Sequence, residues 1–189
     1  AGRFAGAFFG NVSGTDAGDT GLFLCTVQGF NPTPAYESHG VRVCGNSKLT
    51  IDDNTVQDYT RDGIGGNGSS ADLEITISNN VVTQSVNALN GISIVSGNGS
   101  ISGNIVRGHT RSTEWDGCGI LVYIYDGTTI TGSDGITITH NTVENCFNGI
   151  CIVGNLMGPS GCIGCTVQDN HLKGNIKHAI ALETSNNNT

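Results

Sequence analysis

The feature that most constrains this chain is a repeat. Five segments share the form aliphatic-x-x-Asn-x-aliphatic: Ile51–Val56, Ile77–Val82, Ile101–Val106, Ile138–Val143 and Val167–Leu172. Ahead of each lies an apolar run led by glycine, at Gly40, Gly63, Gly91, Gly119 and Gly149, and a sixth run starts at Ala179. Successive leaders are 23, 28, 28, 30 and 30 residues apart, room for three short strands and their turns. A period of this size belongs to stacked architectures, because one repeat cannot bury its own inner face without a neighbour on either side.

Alternate residues of a strand point to opposite faces, so stacking should gather Ile64, Ile92, Ile120, Ile150 and Ile180 into one interior column. A second column would hold Ile51, Ile77, Ile101, Ile138 and Val167, and a third Val56, Val82, Val106, Val143 and Leu172. Asn54, Asn80, Asn104, Asn141 and Asn170 fall at a bend, where asparagine tolerates a left-handed backbone and stacked amides can bond from coil to coil. The expected fold is all-β: a right-handed, single-stranded parallel β-helix of about six to seven coils with no obvious caps. It forms a single domain. Residues 39–189 carry the repeats, and residues 1–38 form an irregular segment with a partial first coil, since Leu24-Cys25-Thr26-Val27-Gln28 echoes Gly164-Cys165-Thr166-Val167-Gln168. Two prolines mark Phe30–Ser38 as a loop, and further loops are expected over Arg107–Asp116, Asp126–Asp134 and Asn155–Gly161.

Over about residues 20–185 the Asn-marked strands and Gly-led runs resemble the parallel β-helix repeat superfamily. Pectate lyases, polygalacturonases, alginate epimerases, phage tailspikes and many archaeal and bacterial surface proteins belong to it. The resemblance implies a fold more than an activity, because the scaffold hosts many functions.

Composition narrows the partners. With 16 acidic against 8 basic residues the net charge is −8, which disfavours nucleic acid, whose phosphates need a clustered basic face. No run approaches the roughly 20 apolar residues of a membrane span. Seven cysteines favour an oxidising compartment. An Ala1 start and Asn-x-Ser/Thr sequons at Asn11, Asn67, Asn98 and Asn187 fit a secreted or cell-surface protein whose leader has been removed.

The candidate catalytic residues are Arg107, His109 and Arg111, followed by Glu114 and Asp116. The resemblance to lyases and epimerases implies a cationic site that neutralises a uronate carboxylate while a base removes the adjacent proton. Glycoside hydrolysis needs two carboxyl groups ~5 to 9.5 Å apart. Asp52 and Asp53, with Asp72 and Glu74, are its nearest approach, but the polygalacturonase pattern is absent. Asp52 and Asp53, with Asp58 and Asp62, could also offer oxygen ligands to calcium. No other cofactor is indicated. Cys162-x-x-Cys165 has half of a zinc spacing and lacks a second pair. Cys118, Cys146 and Cys151, with Cys162 and Cys165, are disulfide candidates, and an odd total leaves at least one thiol over. Thr50, Thr76, Ser100, Thr137 and Thr166 should line an outward column whose hydroxyl array is similar to ice-binding β-helices, interrupted by Asp52 and Gln168 in the next column.

A β-helix without caps presents open strand edges, which invite another chain. The favoured reading is therefore an extracellular structural or surface-assembly protein, of sheath, filament or surface-layer type, whose partner is itself. The alternative is a polysaccharide lyase, epimerase or carbohydrate-binding module, with ice binding a minor third.

Overall fold

The computed structural model describes residues 3–10, 19–28, 37–44, 48–67, 73–84, 88–95, 97–112, 116–123, 135–154, 162 and 164–183. Every regular element among them is a strand. Coil one comprises β1 (Arg3–Gly10), β2 (Asp19–Phe23) and β3 (Thr26–Val27). Coil two comprises β4 (Glu37–Cys44), β5 (Lys48–Asp52) and β6 (Thr55–Gln57), and coil three β7 (Asp62–Asn67), β8 (Glu74–Ser78) and β9 (Val81–Thr83). Coil four is β10 (Asn90–Val95), β11 (Asn98–Ser102) and β12 (Ile105–Arg107); coil five is β13 (Cys118–Tyr123), β14 (Ile136–Thr139) and β15 (Thr142–Glu144). Coil six is β16 (Asn148–Val153), β17 (Thr166–Gln168) and β18 (His171–Lys173), and β19 (His178–Glu183) opens a seventh.

The first strands of all seven coils form one parallel sheet, and the second and third strands of six coils form two more. Seven strands at ~4.8 Å make a rod about 29 Å long. Among the described residues no helix is long and apolar enough to cross a membrane.

Register puts the expected columns in place. Val41, Ile64, Ile92, Ile120, Ile150 and Ile180 pair in succession. Leu22 and Val27 extend the second and third columns into coil one. The first 38 residues, expected to be largely irregular, contribute three strands in register with coil two. Ser38, assigned to a loop from the sequence, lies buried in β4. The columns merge into one core in which Ile51, Ile64, Ile92, Ile101, Ile120 and Ile138 have no exposed surface. Burial of each side chain contributes about 1.5–3 kcal/mol.

The glycine leaders have a steric cause. A Cβ at Gly40, Gly63, Gly91 or Gly119 would overlap Cγ1 of Val56, Val82, Val106 or Val143 respectively. The first sheet therefore approaches the third more closely than any side chain permits.

The asparagines form a continuous ladder, buried from Asn54 to Asn141 and half-buried at Asn170. Asn54 donates its backbone N–H and its Nδ2 to Asn80 Oδ1, both at 3.0 Å. Asn80 repeats this on Asn104, Asn104 on Asn141, and Asn141 on Asn170. The second Nδ2 proton serves backbone carbonyls, as from Asn104 to Ile77 O at 2.9 Å and Ser102 O at 3.1 Å. One part of the expectation is corrected: the left-handed residue is the one before the asparagine. Asp53, Asn79, Gly103, His140 and Asp169 all have positive φ, and so has Leu24, which precedes Cys25 at the same corner of coil one. The left-handed residue turns the corner outward, and the asparagine after it is thereby aimed inward.

Candidate functional site

The structure does not gather Arg107, His109 and Arg111 into one site. Arg107 ends β12 on the solvent side and pairs with Glu144 at 3.0 Å, its register neighbour one coil on. Arg111 pairs with Asp116 at 3.3 Å. His109 points the opposite way and is fully buried. The reason is local. Gly108 has a φ of 83°, and like the left-handed residue before each asparagine it turns the next side chain into the core. Glu114 lies outside the described residues.

Inside, His109 Nε2 is 2.5 Å from Tyr59 Oη, their rings stack with centroids 5.9 Å apart, and Cys146 Sγ lies 3.8 Å from Nδ1. Burial pulls the His109 pKa down to about 3, so it is neutral. Burial also pushes the Cys146 thiol up to about 11 and raises the Tyr59 phenol. All three groups stay uncharged near neutral pH, which makes them an internal hydrogen-bonded column rather than an acid–base site. A sequence signal for it existed: Tyr59, His109, Cys146 and Asn175 each stand three residues after Val56, Val106, Val143 and Leu172.

The calcium candidates diverge as well. Asp52 Oδ1 accepts Ser78 Oγ at 2.5 Å and Asn79 Nδ2 at 3.0 Å. Asp53 occupies the left-handed corner and is exposed. Among the described residues no group of three or more His, Cys, Asp or Glu is placed to hold a metal. Asp72 lies outside the described residues. Thr50, Thr76, Ser100, Thr137 and Thr166 do align on the outer face of the second sheet, beside Asp52, Ser78, Ser102, Thr139 and Gln168.

The five disulfide candidates, all free thiols in the structure, separate into three environments. Cys162 and Cys165 are buried in the main core, with Cys162 Sγ directed at Val153 O at 3.4 Å. Cys146 belongs to the corner column. Cys118 and Cys151 lie together, 3.2 Å between sulfurs, in a satellite cluster with Leu121 and Val153.

What the sequence reading missed is a small concavity, with room of about 30 Å³, on the outer face of the first sheet. Arg42, Arg61, His39, Asp62, Ser93 and Tyr123 contribute to its lining. Arg42 Nη1 donates to His39 Nε2 at 3.0 Å, which leaves the imidazole proton on Nδ1, facing Asp62 Oδ2 at 3.4 Å. The Asp62 carboxylate also meets Arg61 Nε at 3.5 Å and Asn90 Nδ2 at 3.1 Å. Gly65 leaves the floor open, since a Cβ there would stand 2.8 Å from His39 Nδ1. The lining thus carries two guanidiniums, one carboxylate and one phenol. Its trace in the sequence is positional: His39 and Asp62 immediately precede glycine leaders, and Arg42, Gly65 and Ser93 follow leaders by two residues.

Fold and faces together define a parallel β-helix scaffold with polar residues displayed on its sheets. The chain matches the right-handed β-helix region family over residues 39–189 and belongs to that family. Comparison with curated proteins and with solved structures finds no match.

Proposed function

We propose that this chain is a structural module of an extracellular surface assembly, stacking coil edge against coil edge with a second copy of itself. The observation that carries this reading is the last described coil. Ile176, Ile180 and Leu182 are 65%, 46% and 55% exposed, although Ile180 continues a column that is fully buried in the preceding coils. These side chains, with the edges of β17, β18 and β19, which no further strand pairs among the described residues, suit the face of another coil. Coil one adds Phe23 and Leu24, 53% and 79% exposed. Association through such edges combines backbone pairing with apolar burial. Sedimentation of the chain at rising concentration tests it: oligomers that grow with concentration are expected, and a monomer throughout would refute the reading.

A second reading rests on the concavity. Two guanidiniums beside a tyrosine ring suit the carboxylate and ring face of an acidic sugar, so the module would bind an acidic polysaccharide. Calorimetric titration with polygalacturonate should show binding that Arg42→Ala and Tyr123→Ala weaken at least tenfold, while a neutral glucan binds no better than background. Equal affinity for the two polymers would overturn it.

A further inference from the structure

We infer that Cys118 and Cys151 form an inter-coil disulfide that staples coil five to coil six on the outer face of the first sheet. Cys118 stands at the start of β13 and Cys151 within β16, adjacent strands of that sheet. Their sulfurs are 3.2 Å apart. In register Cys118 stands opposite Asn148 and Cys151 opposite Leu121, so the side chains reach diagonally, and a disulfide at ~2.05 Å requires the sulfurs to approach by about 1.2 Å.

The environment selects this pair among the five candidates. Cys162 and Cys165 face the main core, where Cys162 is directed at backbone carbonyls of Val122 and Val153. Cys146 is directed at His109 and at Glu144 O, 3.4 Å away. Cys118 and Cys151 touch sulfur to sulfur. Both are fully buried among Leu121 and Val153. The contact and burial raise the Cys118 thiol well above its ordinary range, which makes the thiolate scarce in the folded chain. Oxidation therefore belongs to folding, before coil six closes over coil five, and the finished bond is shielded from exchange.

The chemistry balances with a disulfide oxidant of the export compartment, either a small-molecule disulfide or a thiol oxidoreductase. One cysteine, as thiolate, attacks the oxidant's S–S bond and releases one thiol. The second cysteine then displaces the other half, forming the Cys118–Cys151 bond. Two cysteine thiols are oxidised, and one oxidant disulfide is reduced to two thiols. The loop closed spans 33 residues of separation, and its closure removes entropy from the unfolded chain. Tyr123 packs on the same cluster and lines the concavity, so the staple would steady that face whichever of the two functional readings holds.

The test is to isolate the chain from an oxidising compartment, alkylate it in denaturant without reductant, and map the peptides by mass. The expected result is a cross-linked pair containing Cys118 and Cys151, ~2 Da lighter than the sum of the reduced peptides, with Cys146, Cys162 and Cys165 alkylated. Full alkylation of Cys118 and Cys151, or either one linked elsewhere, would overturn the inference. A second measurement does not depend on any variant folding well: the wild-type chain reduced in denaturant and refolded with reductant present should melt lower than the untreated chain by on the order of 10 °C. The Cys118→Ala/Cys151→Ala double variant, where it folds, should have a midpoint that reductant leaves alone. A wild-type midpoint indifferent to reductant counts against the bond.

Discussion

Asn104 and His109 stand only a few residues apart, both fully buried, and both are polar for structural reasons. Asn104 Oδ1 accepts two bonds from Asn80, and its Nδ2 gives bonds to Ile77 O, Ser102 O and Asn141 Oδ1. Asn104→Ala would orphan two buried donors on Asn80, each worth about 1–3 kcal/mol. A loss of about 2–5 kcal/mol in urea unfolding is expected. Asn170→Ala should cost less, because Asn170 is half-buried and water can reach the groups it leaves. His109 makes stability pH-dependent. Its folded pKa of about 3 lies below the ordinary value of 6.5, so the unfolded chain binds a proton that the folded chain refuses. The contribution of its neutral form is complete above pH ~6.5 and declines as pH falls toward 3, by about 1.4 kcal/mol per unit. Unfolding curves of wild type and His109→Gln, compared between pH 7 and 4.5, should show the steeper loss in wild type. Parallel slopes would mean that the burial of His109 is not what sets the acid response.

At the scale of the strand, the glycine leaders and the register are one phenomenon. The first sheet runs so close to the valine column that only glycine fits. Gly91→Ala would drive a methyl group into Val106 Cγ1 and the Gly119 carbonyl, and overpacking of this kind costs about 1–3 kcal/mol or more. Gly135 is a control, because its φ is 71° yet a Cβ there meets nothing within 4 Å. Gly135→Ala should cost only the backbone strain, about 1 kcal/mol. Thermal denaturation of the two variants should rank Gly91→Ala clearly lower, and the reverse order would show that backbone conformation rather than crowding dictates the leaders. The repeats made the three inner columns legible because period-2 alternation and an Asn at fixed spacing specify both face and register. The corner column of Tyr59, His109 and Cys146 was harder to see, since its members share a position but not a chemistry. For the same reason His109 looked like a loop residue: Gly108 decides its direction, and direction is invisible in composition.

For the whole molecule, the decisive quantity is what the last described coil meets. Ile180 and Leu182 lie in β19 with about half their surface exposed, and a stacked partner would remove that surface from water. Ile180→Asp places a charge where the edge contact requires an apolar residue, so the variant should remain monomeric at concentrations where the wild type associates. Sedimentation velocity at matched concentrations reads this directly, and unchanged association would exclude this edge as the contact. The polar faces belong to the same scale. Arg107 with Glu144 and Lys48 with Glu74 pair between successive coils, so much of the outer charge joins one turn to the next. The concavity differs because its polar groups converge from coils two, three, four and five, at Arg42, Asp62, Ser93 and Tyr123.

The amino-acid sequence alone determined the solenoid, its period, its three inner columns and its asparagine ladder. Each follows from a short-range pattern repeated at nearly constant spacing, and stacking turns such a pattern into register without further information. Tertiary structure alone decided which residues meet across coils: that His109 enters the core while Arg107 and Arg111 leave it, that Cys118 finds Cys151, and that a polar concavity opens beside Gly65. Loop lengths vary from coil to coil, so separation along the chain does not fix neighbourhood. A single left-handed residue at a corner sends the next side chain inward, and these contacts exist only once the coils are stacked.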